Sequence, residues 1–278
     1  MITTPLRYPG GKSKITALMT EIISSLQMCS TYIEPFAGGA GIAVNLLLQG
    51  VVEQIVINDY DKSIYSFWRA VKEDSDRLIS LIEEVPVTIE EWHRQREIYK
   101  SCLNKYSLEL AFATFFLNRT NRSGILSAGP IGGMKQDGEF KLDARFNKRV
   151  LINRIENISK HRNAIKVYNK EICSFIENVI SKYENDAFVY FDPPYYGNGN
   201  RLYKNSFKKD DHLNFAQHVF SYVHIPWVVT YDSIHQIEQI FDSFPIKHYK
   251  INYSAAKKCK GSELMIFKNE KLIPSLMR

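Results

Sequence analysis

Short apolar strands alternate with amphipathic helices at both ends of this chain, and that alternation leaves few architectures open. In the first part, residues 14–27 place Ile15, Leu18, Met19, Ile22, Ile23 and Leu26 on one helical face. Strands are expected at 31–35 and 54–58, and helices at 42–49, 62–72 and 76–84. In the last part, strands at 164–168, 187–191 and 227–230 alternate with helices at 172–183, 210–222 and 233–241. Segments 247–253 and 263–267 then close as antiparallel strands. The pattern predicts an α/β fold with a doubly wound, mostly parallel sheet. The middle differs. It begins with helical segments, including the apolar 108–117, and then packs five of the chain's 14 glycines between Gly124 and Gly138. That density excludes regular structure. The expected division is therefore one α/β domain of residues 1–85 and 163–278, interrupted by a module at 86–162.

The net charge of +6 is concentrated there. Between Arg119 and Arg162 stand ten Lys or Arg and four acids, so the rest of the chain is neutral on balance. Such an excess suits a polyanion, while charge alone also fits a solvated basic face. Sixteen Tyr, sixteen Phe and three Trp can fill a core and leave rings to stack on bases. Cys29, Cys102, Cys173 and Cys259 show no CxxC spacing, so neither a zinc site nor a disulfide framework is indicated. They read as reduced thiols of a cytoplasmic protein. The opening Met1-Ile2-Thr3-Thr4-Pro5 does not read as a signal peptide, and no apolar run reaches the roughly 20 residues of a membrane span.

Three motifs carry chemistry. In Tyr32-Ile33-Glu34-Pro35-Phe36-Ala37-Gly38-Gly39-Ala40-Gly41 a strand enters a glycine-rich turn before a helix, which lets backbone approach a ligand at the sheet's carboxyl edge. The pattern is not GxGxxG, so a dinucleotide is not favoured; a plain tight turn is the alternative. The second strand ends at Asp59, about twenty residues on, where a carboxylate can accept from ribose hydroxyls. Asp59 or Asp61 could instead cap the next helix. Together these features fit an adenosine-containing cofactor. Asp192-Pro193-Pro194-Tyr195, after the apolar Phe188-Val189-Tyr190-Phe191, is the most specific signal. The prolines fix the backbone and leave carbonyls without local donors. An amine there could donate to the Asp192 carboxylate and the Pro193 carbonyl, turning its lone pair out of the ring plane. Tyr195 offers a π face to the ring.

With these residues in view, the chain resembles the D12 class (Dam-like) of DNA adenine N6-methyltransferases over nearly its whole length. Tyr8-Pro9-Gly10-Gly11-Lys12, Glu34-Pro35-Phe36-Ala37-Gly38-Gly39, Asp59, Leu117-Asn118-Arg119-Thr120 with Gly124, Gly138-Glu139-Phe140, Asp192 to Tyr195, and Ser254 with Glu263-Leu264 occur in that family's order. The resemblance implies a Rossmann-like methyltransferase fold with a seven-stranded sheet, S-adenosylmethionine as cofactor and no metal, and double-stranded DNA as substrate. It makes 86–162 a target-recognition module. It implies cofactor contacts from Tyr8, Gly10, Gly11, Lys12, Glu34, Pro35, Phe36, Ala37, Gly38, Gly39, Asp59 and Asp192, and catalysis at Asp192, Pro193, Pro194 and Tyr195. The expected DNA contacts are Asn118, Arg119, Arg122, Ser123, Lys135, Lys148 and Arg149. Two stretches depart from the pattern. Where the family often has an acid near the cofactor adenine, this chain has Asn169-Lys170-Glu171-Ile172-Cys173; where GATC-specific relatives carry Tyr-Asn-Gly-Leu-Cys-Arg, it has Arg122-Ser123-Gly124-Ile125-Leu126-Ser127.

The expected reaction is methylation of adenine N6 in a base flipped out of the duplex, by direct in-line displacement. N4-cytosine methylation uses the same amine logic, but the family usually has Ser in place of Asp192 for it. A catalytically silent DNA-binding relative is the other alternative. The chain is expected to act as a monomer, off the membrane, with a cognate restriction or defence nuclease left open.

Overall fold

The computed structural model describes residues 4–7, 13–26, 28–102, 105–184, 186–196, 207–253 and 259–277. Tyr8, Gly10, Gly11, Lys12 and Ser254 lie outside the described residues. Two compact units divide the chain: Gly10–Tyr60 with Tyr168–Arg278, and Met1–Pro9 with Asp61–Val167.

The sheet has seven strands: β1 (Thr31–Glu34), β2 (Gln54–Asn58), β3 (Ile165–Tyr168), β4 (Ala187–Phe191), β5 (Trp227–Asp232), β6 (Ile246–Tyr253) and β7 (Cys259–Phe267). Their order is β3-β2-β1-β4-β5-β7-β6. β1 pairs in parallel with β2 and β4, and β4 with β5. β7 runs antiparallel to both β5 and β6. β1 and β4 are buried along their whole lengths, as central strands covered on both faces must be. Helices α1 (Ser13–Ser25) and α2 (Gly41–Leu48) pack together, as do α8 (Ile172–Asn178) and α9 (Lys209–Tyr222); α10 (His235–Ile240) contributes Ile237 to the core. The chain runs outward from β1 through β2 and β3 on one side, and through β4 and β5 on the other. The carboxyl ends of β1 and β4 thus meet at the point where strand order reverses, the place where open α/β sheets bind ligands.

The second unit is helical: α3 (Lys62–Glu73), α4 (Ser75–Glu84), α5 (Ile89–Ser101), α6 (Leu108–Thr120) and α7 (Lys148–Ser159). Helix α6 is buried from Leu110 to Thr120, because its sequence is apolar on every side and α3 and α5 pack against it. This unit is wider than the 86–162 span read from the sequence, since α3 and α4 pack on α6 and α7. Two local expectations change. Helix α7 follows the glycine-rich stretch, where no element was expected, and buries Leu151, Ile155 and Ile158 at helical spacing. The helix expected over 172–183 stops at Asn178 and is followed by a single 3₁₀ turn, Ile180–Lys182. Among the described residues, no helix is long and apolar enough to cross a membrane.

Candidate functional site

The glycine turn after β1 is built by its neighbours. Helix α2 starts after Ala40, whose left-handed backbone (φ 44°) carries no capping side chain. Glu34 supplies the missing acceptor: it is 4% exposed, and Oε2 takes the Ala43 N–H at 3.1 Å. The acid expected beside the cofactor is thus tied to the start of α2. Asp59 Oδ2 accepts the Gly38 N–H at 2.8 Å, and the Asn58 carbonyl accepts that of Ala37 at 3.0 Å. Gly38 sits at φ 46°, where a side chain would strain the backbone. Phe36 packs edge-on to Phe207 and Phe215, with ring centroids at 5.9 and 5.8 Å, and so belongs largely to the core. Pro35, Ala37, Gly38 and Gly39 are buried in the turn. The choice between Asp59 and Asp61 is resolved: Asp61 caps α3, accepting from the Ser63 N–H at 2.8 Å, while the Asp59 carboxylate turns to the glycine loop.

Sequence reasoning missed the residues that hold this edge in register. The buried Asn58 side chain donates to the carbonyls of Pro35 and Lys170, both at 3.1 Å, and accepts from the Lys170 N–H at 2.8 Å. Asn169 donates to the Asp59 and Tyr60 carbonyls at 2.8 and 3.0 Å. Glu171, the one acid in that departing stretch, caps α8 through the Ser174 N–H at 3.1 Å. This segment therefore positions Asp59 and starts a helix. A strand ending in Asn-Asp was the only hint of it.

Asp192 to Tyr195 leave the carboxyl end of β4 beside this turn. Pro193 and Pro194 are buried, and Asp192 and Tyr195 half-buried. Asp192 Oδ1 accepts from Thr230 Oγ1 at 3.0 Å. The Tyr195 hydroxyl donates to Glu263, which is 1% exposed and also accepts from Tyr249. Tyr249 and Glu263 face each other across the β6–β7 register. The Tyr196 N–H donates to Asp232 Oδ1 at 3.0 Å. The motif is thus held from outside by β5 and β7, which fixes the Tyr195 ring at its hydroxyl end.

The helical unit sorts the expected DNA contacts into two kinds. Asn118, 1% exposed, accepts from the Arg7 N–H at 2.7 Å and donates to the Arg7 and Gly124 carbonyls, both at 2.9 Å. It clamps the turn after α6 through both ends of its side chain. Lys148 is half-buried and donates to the Glu83 carbonyl at 2.7 Å, so its charge is tied to the end of α4. Arg122, Lys135 and Arg149 are exposed; Ser123 is half-buried with φ 57°. Arg119 differs from all of them. It is 7% exposed, and among the described residues its Nε and Nη2 have no hydrogen-bond partner. It lines a cavity of about 430 Å³ with Asp143, Arg145, Asn147 and Arg154. Burial, then the charges of Arg154, Arg7 and Arg145, push its pKa down to about 9.

Residues 8–255 match the D12 class N6 adenine-specific DNA methyltransferase family. The Type II methyltransferase M.MjaIII of Methanocaldococcus jannaschii is 28% identical over 204 residues, 68% of this chain and 68% of that one. The Type II methyltransferase M1.LlaDCHI of Lactococcus lactis subsp. cremoris is 23% identical over 201 residues, 68% of this chain and 64% of that one.

Proposed function

The chain belongs to the D12 class of N6 adenine-specific DNA methyltransferases, and on that premise we propose how its residues divide the work. The enzyme methylates adenine in DNA at specific sites. S-adenosylmethionine supplies the methyl group on a positively charged sulfur. The residues present suit it: a side-chain-poor turn, the Asp59 carboxylate for ribose hydroxyls, and the Asp192 carboxylate near the positive charge. In this reading Ala37, Gly38 and Asp59 line the cofactor, with Tyr8 and Lys12 completing the site from the N-terminal motif. Glu34 and Phe36 support it from beneath.

The observation that carries the reading is the meeting of three strand ends at the switch point. Asp59 closes β2, the glycine turn closes β1 and Asp192 closes β4. The target adenine would be flipped out of the duplex, at a cost of a few kcal/mol. Tyr195 would stack on it, with its ring held by Glu263. Asp192 and the Pro193 carbonyl would orient N6 for direct displacement, so that catalysis is mainly positioning.

The unit containing Asp61–Val167 would recognise the target. Exposed Arg122, Lys135 and Arg149 offer charge to backbone or base edges. Arg119 would draw one backbone phosphate to the cavity it lines, where the anion offsets the crowded positive charge of Arg145 and Arg154. One chain carries both the cofactor residues and the basic unit, which suits a monomer. Free Cys29, Cys102 and Cys173 suit the reducing cytoplasm. A cognate nuclease acting at the same site is the partner this reading leaves open. The test is transfer of labelled methyl to DNA, followed by digestion to nucleosides. The expected product is N6-methyladenine, absent with a folded Asp192→Ala protein. Label in N4-methylcytosine, or full activity in that variant, would overturn the assignment of roles.

A further inference from the structure

Two hydroxyl groups stand behind Asp192 with no contact to solvent. Tyr190 and Thr230 are both 0% exposed. Side chains alternate along a strand, so Tyr190 and Asp192 project to the same face as they pass the end of β4. Strand β5 lies parallel to β4 with Tyr190 opposite Val228 and Phe191 opposite Val229. Continuing that register by one residue brings Thr230 opposite Asp192. Thr230 Oγ1 lies 3.0 Å from Asp192 Oδ1 and 2.8 Å from the Tyr190 hydroxyl.

Donor accounting gives the contacts a direction. An ionised carboxylate only accepts, so Thr230 must give its single proton to Asp192. Thr230 Oγ1 is then an acceptor toward Tyr190, whose hydroxyl donates. The chain runs one way, from Tyr190 through Thr230 to Asp192. Each donor polarises the next in a buried setting. The terminal torsion of an aspartate is broad and roughly two-fold, so an unassisted carboxylate would sample many orientations.

We propose that Thr230, backed by Tyr190, is a positioning residue that fixes the rotation of the Asp192 carboxylate, so that the adenine amine meets an acceptor of set direction. The inference rests on Asp192 orienting the amine, as read above. It assigns Thr230 no contact with substrate. Its effect is on how well the reacting atoms are aligned, so it acts on turnover more than on binding.

The test compares Thr230→Val, which keeps the shape and removes the hydroxyl, with Thr230→Ser, which keeps the hydroxyl. Thr230→Val should lower kcat by roughly 10- to 100-fold, the scale of a misplaced catalytic group. KM for cofactor and DNA should stay within about twofold, since uniform binding is untouched. Thr230→Ser should recover most of the rate, and Tyr190→Phe should show a smaller loss. A second readout needs no turnover. Infrared spectra of protein labelled with ¹³C-aspartate, assigned by difference from Asp192→Asn, should show the Asp192 carboxylate band shifted in Thr230→Val and restored in Thr230→Ser. If Thr230→Val does not fold, the same band is read in Tyr190→Phe. Wild-type kcat with an unmoved band would overturn the proposal, as would equal impairment by Val and Ser. Full activity in Asp192→Ala would instead remove the reading beneath it.

Discussion

Replacing Arg119 with Met tests what a buried, unpartnered guanidinium is for. The side chain is almost enclosed, lacks partners at Nε and Nη2 among the described residues, and shares its surroundings with Arg154, Arg7 and Arg145. Burial and those charges push its pKa down to about 9. The sign follows from the direction. Both folded and unfolded chains carry the charge below pH 9, so the destabilisation is fully present at neutral pH. It is relieved only as pH rises through the folded value, where the native state loses the proton first. At about 1.4 kcal/mol per pH unit the penalty is on the order of 5 kcal/mol. Water entering the cavity reduces it, and about 2 kcal/mol is a reasonable expectation. Arg119→Met should therefore stabilise the DNA-free protein, raising Tm by roughly 4–8 °C for a chain of this size. The gain should be flat between about pH 6 and 8 and shrink above about 9. DNA affinity should move the other way, falling by roughly tenfold or more as one charge-assisted phosphate contact is lost. The slope of log affinity against log salt should drop by about 0.9. Thermal melting with and without DNA and titration at several salt concentrations measure both arms. A lower Tm with an unchanged salt slope would refute the reasoning, because Arg119 would then be supporting the fold.

The other expectations follow from single contacts. Asp59→Ala should weaken S-adenosylmethionine binding by about 1.5–3 kcal/mol, through lost ribose acceptors and a loosened Gly38 turn; calorimetry reads this, and unchanged affinity would leave Asp59 only its tie to Gly38. Gly124→Ala should destabilise by about 2 kcal/mol or more, because φ is 76° and the added Cβ would lie 2.9 Å from Arg7 Cβ; urea unfolding measures it, and a neutral result would mean that the turn relaxes freely. Arg149→Gln should lower the salt slope of DNA binding, whereas Lys148→Gln should chiefly lower stability because its ammonium serves the Glu83 carbonyl; equal effects on the slope would contradict that separation. Arg122→Ala should relax the methylated-site profile at one base position if the guanidinium reads guanine, and a uniform loss at all sites would make it a backbone contact.

Much of the candidate site's edge was legible in the linear order of residues. Strand alternation and the runs ending at Asp59 and Asp192 fix which side chains emerge at the carboxyl edge, because period and strand direction are local properties. The family order of the motifs then supplies the reaction. What the sequence could not determine is which polar groups meet across the fold. Glu34 and Phe36 sit within a motif assigned to the cofactor, yet packing turns one to a helix end and the other into the core. Asn118 and Arg119 are adjacent and both buried, but among the described residues one finds three backbone partners and the other has two nitrogens with none. Thr230 and Glu263 lie 38 and 68 residues from the side chains they hold, and become neighbours only through strand order. Periodicity and motif spacing are written along the chain, whereas satisfaction of a buried donor or acceptor depends on what the tertiary structure places opposite it.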